Sequence, residues 1–68
     1  MEQIQIRDDF IKLGQALKLA GVVETGLDAK LFIQDGDVKV NGEVELRRGR
    51  KLYKGDQIEF DGEEFVIA

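Results

Sequence analysis

Five cations, Arg47, Arg48, Arg50, Lys51 and Lys54, fall within eight consecutive positions that hold no Asp or Glu, in a chain whose formal charge is −4. That segment carries +5, so the other sixty residues carry −9. Phosphate backbones respond to local fields, and a cluster this dense acts over a screening length of about 8 Å at physiological salt whatever the average charge. The plainer role is pairing with Glu43, Glu45, Asp56 and Glu59 on neighbouring strands. Exposed pairs contribute at most about 1 kcal/mol each, and five cations exceed what pairing needs. A polyanion partner is therefore the favoured reading, with RNA and DNA undistinguished by charge.

Other chemistry is thinly provided. The sequence has no His, Cys, Trp or Pro, and no Ser either, which removes the usual Ser-His and Cys-His nucleophiles, thiolate metal sites and disulfides. Asp35-Gly36-Asp37 starts like a calcium loop, but Lys39 stands where a third oxygen ligand belongs and no Glu follows at the required distance. Gly21 to Gly26 has phosphate-loop spacing, yet Leu27-Asp28 replaces the Lys-Ser/Thr pair. Phe10, Phe32, Phe60 and Phe65 sit at apolar positions and are expected in the core, leaving Tyr53 as the one ring for stacking on a base. No catalytic residue, cofactor or metal site is expected.

Periodicity supplies the elements that must hold the cluster. Ile4 and Ile6 alternate with Gln3 and Gln5 as in a short strand. Asp8 or Asp9 is expected to cap a first helix carrying Phe10, Leu13, Leu17 and Ala20, with Gly21 as its left-handed exit. Val22 and Val23 form an apolar elbow. Thr25 followed by Asp28 resembles a capping box for a second helix with Ala29, Leu31, Phe32 and Ile33, ended by Gly36. Beyond it the period is two. In the Val38 to Leu46 hairpin, parity predicts an odd loop over Asn41 to Glu43, which sets Val40 against Val44 and Val38 against Leu46 on one apolar side. In the second hairpin the Asp61-Gly62 turn keeps Ile58 opposite Phe65. The expected fold class is α+β, two helices packed on a small, mostly antiparallel sheet.

Sixty-eight residues suffice for one small domain, 1–68. No apolar run reaches membrane-span length and no secretory pattern is visible, so no membrane association and a cytoplasmic location are expected. The absence of a heptad pattern favours a monomer.

From Lys12 to Ile58 the residues Lys12-Leu13, Leu17, Gly21, Ala29, Ile33, Gly36, Val38, Val40-Asn41-Gly42 and Gly55-Asp56-Gln57-Ile58 together resemble the S4-type RNA-binding domain. The spacing from Ala29 through Ile33, Gly36 and Val38 to Val40-Asn41-Gly42 is its most specific part. Ala16-Leu17-Lys18-Leu19 and the run from Arg47 to Leu52 resemble the short, stand-alone bacterial branch of that family. The resemblance implies the two-helix alpha-L motif on a sheet and non-catalytic binding of structured RNA, ribosomal or tRNA-like, with the ribosome as its setting. It also implies that the helical hairpin and adjoining loop lie along RNA backbone. Lys12 stands where the family often has Arg, and Thr25 where Ser commonly opens the second helix. Gly14 replaces the usual Asp and Gly26 the usual Arg, leaving Lys30 or the 47–54 cluster to supply the missing phosphate contact. The candidate face thus comprises Lys12, Lys18, Thr25, Lys30, Lys39, Asn41, Arg47, Arg48, Arg50, Lys51 and Lys54. Neutralising about five phosphates would make log K fall with log salt at a slope of about −3.5 to −4.5. The competing expectation is an adaptor docking an acidic protein through the same face. A sulfur carrier, suggested by Gly55 to Phe60, would need a terminal Gly-Gly where Val66-Ile67-Ala68 stands.

Overall fold

In a computed structural model describing residues 1–68, the chain runs β1 (Glu2–Ile4), β2 (Ile11–Lys12), α1 (Leu13–Leu19), α2 (Gly26–Gln34), β3 (Val38–Val40), β4 (Glu43–Val44), β5 (Lys51–Leu52), β6 (Gln57–Phe60) and β7 (Glu63–Ile67). Five strands form one sheet in the order β1-β7-β6-β3-β4, antiparallel except where β1 runs parallel to β7, while β2 and β5 form a separate antiparallel pair. This is the expected α+β architecture, with both helices against one sheet face.

Alternation fixes which side of the sheet is inner. Val38, Val40, Ile58, Phe60, Phe65 and Ile67 are buried and meet Leu13, Ala16 and Leu17 of α1 and Ala29 and Ile33 of α2 in one core. Burying each large aliphatic or aromatic side chain contributes roughly 1.5–3 kcal/mol. With no disulfide to assist, this cluster carries the fold. Ile4, also buried, joins it from β1, whose register sets Ile4 beside Ile67.

The second helix begins as expected, with the Thr25 hydroxyl accepting the Asp28 N–H at 3.1 Å, and ends before Gly36 at φ 82°. The first helix does not. Neither Asp8 nor Asp9 caps it; Lys12 occupies the N-cap position without a side-chain bond, and Phe10 lies outside the helix. Ile11 and Lys12 instead pair with Leu52 and Lys51, and the N–H groups of Leu13 and Gly14 donate to the carbonyls of Arg50 and Arg48. The basic segment itself thus caps α1, a long-range arrangement that helical periodicity cannot reveal.

The first hairpin also departs from expectation. Val40 pairs with Glu43 and Lys39 with Val44 across a two-residue Asn41-Gly42 turn, with φ 51° and 85°. The parity rule assumed that Val44 and Leu46 were buried, whereas they are 52% and 57% exposed. Glu45 takes the inner position beside Val38, to whose carbonyl its N–H donates. Local Asn-Gly turn preference prevails because two arginines neutralise the carboxylate that this register buries. The Asp61-Gly62 hairpin follows the rule, with Ile58 opposite Phe65.

Candidate nucleic-acid interface

The segment 45–50 is built around Glu45, whose side chain is 8% exposed. Its Oε2 accepts from the Arg47 backbone N–H at 3.0 Å and Nε at 3.1 Å, and its Oε1 from Arg47 Nη2 at 3.2 Å and Arg50 Nη1 at 2.9 Å. The Arg47 side-chain bonds first, then its backbone N–H and Arg50, hold the Glu45 carboxyl down to about 2 from 4.5, against the upward push of burial. Glu45 in turn raises the Arg47 guanidinium above its ordinary value. Two of the five clustered cations are therefore engaged in folding the loop.

Arg48, in the turn between them, is directed elsewhere. A Cβ at Gly14 would lie 2.7 Å from Arg48 Cγ, so the absence of a side chain at 14 is what lets Arg48 cross the start of α1. There it lines an open groove of about 340 Å³ with Lys12, Lys18, Gln15 and the glycines 14, 26 and 49. No acidic side chain lines this groove. Gly26, the first residue of α2, adds the positive end of that helix dipole, worth a few tenths of a kcal/mol to about 1 kcal/mol to an anion. The acidic Asp28 in the same turn opposes it.

Lys51 stands across from Lys12 in the β2–β5 pair, with its ammonium 4.7 Å from the Phe10 ring centroid. Two adjacent like charges without a carboxylate between them repel, and an anion lying over both relieves that repulsion. Lys12, Lys18 and Arg48 are thus the cations that the fold brings together in the groove, with Lys51 opposite Lys12 beside it and its ammonium over the Phe10 ring. Phe10 is a half-buried surface ring tilted against Tyr53, centroids 6.2 Å apart, and not the core residue expected.

The remaining candidates are placed otherwise. Lys39 projects from the outer sheet face beside Glu59, at 3.9 Å. Asn41 links the hairpins: its Nδ2 donates to Asp56 Oδ1 at 3.1 Å and its Oδ1 accepts the Gln57 N–H at 2.9 Å. Thr25 is a helix cap. Lys30 is exposed on α2 and Lys54 in the turn before Asp56, and neither lines the groove. Glu45, which sequence reading counted only among acids available for pairing, proves to organise the loop. The sequence trace of that role was its place five residues before Arg50 and two before Arg47.

The chain is thus a small module of two short helices on a mixed sheet, with a cationic groove that no acidic side chain lines at its first helix. The model of the S4 domain matches residues 4–68, and the chain belongs to that family. It is 51% identical over 59 residues to the probable ribosome maturation protein RlbA of Bacillus subtilis (strain 168), covering 87% of this chain and 83% of that one. YbcJ of Escherichia coli (strain K12), whose name marks it as a candidate RNA-binding protein, is 42% identical over 58 residues, covering 85% and 83%. The solution structure of E. coli YbcJ, described as revealing an alpha-L motif involved in RNA binding, superposes with a TM-score of 0.76 at 33% identity. That superposition covers 100% of this chain and 87% of that chain.

Proposed function

We propose that this chain binds structured RNA without transforming it, as a cytoplasmic monomer whose groove of Lys12, Lys18 and Arg48, extended by Lys51, holds the phosphate backbone. The observation that carries this is the convergence of cations without an acid among the groove's residues, in a chain of net charge −4. Family membership supports RNA as the polyanion, and the likeness to RlbA supports ribosomal RNA or a ribosomal precursor as its source. A cytoplasmic setting agrees with that source.

The Glu45 pairs alter the electrostatic expectation. With Arg47 and Arg50 engaged by Glu45, the three groove cations and Lys51 are left without a carboxylate partner, and counterion release at 0.7–0.9 per phosphate for these four gives a log K against log salt slope of about −2.8 to −3.6. Titration of a folded ribosomal RNA fragment at several salt concentrations measures it. Arg48→Glu is expected to weaken binding more than tenfold and to flatten the slope by about one. A flat slope in the parent chain, or no saturable RNA binding at physiological salt, would overturn the reading in favour of an adaptor for an acidic protein.

A further inference from the structure

On the other flank of α1 lies a second, larger cleft of about 580 Å³, between that helix and the segment joining β1 to β2. Ile6, Phe10, Ile11 and Leu19 supply its apolar wall. Gln15 and Lys18 line it as well as the cationic groove, so the two depressions share one ridge on α1. The phosphate track and an apolar cleft are therefore immediate neighbours.

Phe10 lines this cleft while keeping its position through contacts outside it. The Tyr53 ring packs against it with planes at 52°, and the Lys51 ammonium sits 4.7 Å from its centroid. Tyr53 is anchored in turn, since its backbone N–H donates to Asp56 Oδ2 at 2.8 Å. A half-buried aromatic ring packed against a second ring and a cation offers a stacking surface at the cleft. Gln15 is exposed and carries both a donor and an acceptor, as the edge of a nucleobase does. Asp8 is the cleft's single acid, and it is also lined by Arg7.

We propose that the cleft receives an unpaired nucleobase of the RNA whose backbone occupies the adjoining groove. Phe10 stacks on the base and Gln15 meets its edge. This deepens the proposed function and rests on it. The substrate class is RNA with a bulged, looped or overhanging nucleotide, because a continuous A-form helix keeps its base faces stacked and offers no ring to the cleft. Lys18, on the shared ridge, is placed to reach the phosphate that joins the two sites.

The test compares two blunt-ended RNA duplexes of the same sequence, one fully paired and one with a single bulged 2-aminopurine, by anisotropy for affinity and by 2-aminopurine emission for stacking. The parent chain is expected to bind the bulged duplex roughly 5- to 150-fold more tightly, the range for one base stacked on one aromatic ring, with altered 2-aminopurine emission. Phe10→Leu is expected to bring the bulged duplex back to the affinity of the paired one. Should Phe10→Leu lose its circular dichroism spectrum, Gln15→Ala, expected to lower the preference for the bulged duplex, and the parent chain's emission change decide the matter. Equal affinity for the two duplexes with unchanged emission overturns the cleft assignment and leaves RNA binding standing. Binding to neither duplex overturns the RNA reading and the cleft with it.

Discussion

Glu45→Gln is the sharpest test of how the basic loop is held. The parent carboxylate accepts four hydrogen bonds from Arg47 and Arg50, and its pKa is held to about 2 against 4.5. At 1.36 kcal/mol per unit, the full shift corresponds to about 3 kcal/mol. The Arg47 side chain is 74% exposed, so water screens that half of the arrangement. About 2 kcal/mol is the expected loss on removing the charge. Because the folded pKa lies below the unfolded value, this stabilisation is present in full above about pH 4.5 and disappears as pH falls through about 2. Thermal unfolding by circular dichroism should place the variant roughly 8–16 °C below the parent at pH 7. The gap should narrow steadily between pH 4.5 and 2. Amide exchange at Leu13 and Gly14 should accelerate too, since their acceptors are the carbonyls of Arg50 and Arg48. Equal melting temperatures at pH 7, or a gap that persists unchanged at pH 2.5, would refute the account of Glu45 as the charged clamp of this loop.

Gly14→Ala gains up to about 1 kcal/mol of helix propensity but sets a Cβ 2.7 Å from Arg48 Cγ, so Arg48 must change rotamer. Calorimetry and RNA titration should show near-neutral stability with weakened binding. Gly26→Arg restores the family's usual cation at a position where nothing lies within 4 Å of an added Cβ. It should tighten RNA binding several-fold and steepen the salt slope by roughly 0.7–0.9, with at most about 1 kcal/mol lost to the helix dipole. Asn41→Ala removes both side-chain bonds between the hairpins and puts Ala at φ 51°. Urea unfolding should register a loss of about 2–3 kcal/mol while the salt slope for RNA stays as in the parent. Thr25→Ala should cost about 1 kcal/mol through its lost cap, also read by urea unfolding.

Sequence by itself determined the elements whose signals are local. The Thr25 cap, the Gly36 exit and the Asp61-Gly62 turn each depend on a few adjacent residues, and the Ala29 to Gly42 spacing was specific enough to indicate the family. It also located the positive charge in one segment. Only the tertiary structure decided which of those cations remain free. Arg47 and Arg50 are drawn to Glu45 because the Asn41-Gly42 turn sets the register that buries that carboxylate, the Arg47 side chain staying largely exposed, whereas Arg48 crosses Gly14 and is left unpaired. Phe10 left the helix and the core because Ile11 and Lys12 pair with a strand forty positions away, an association that no periodicity near residue 10 encodes. Side-chain type set the inventory of charges and rings, and long-range backbone pairing distributed them between the interior and the groove.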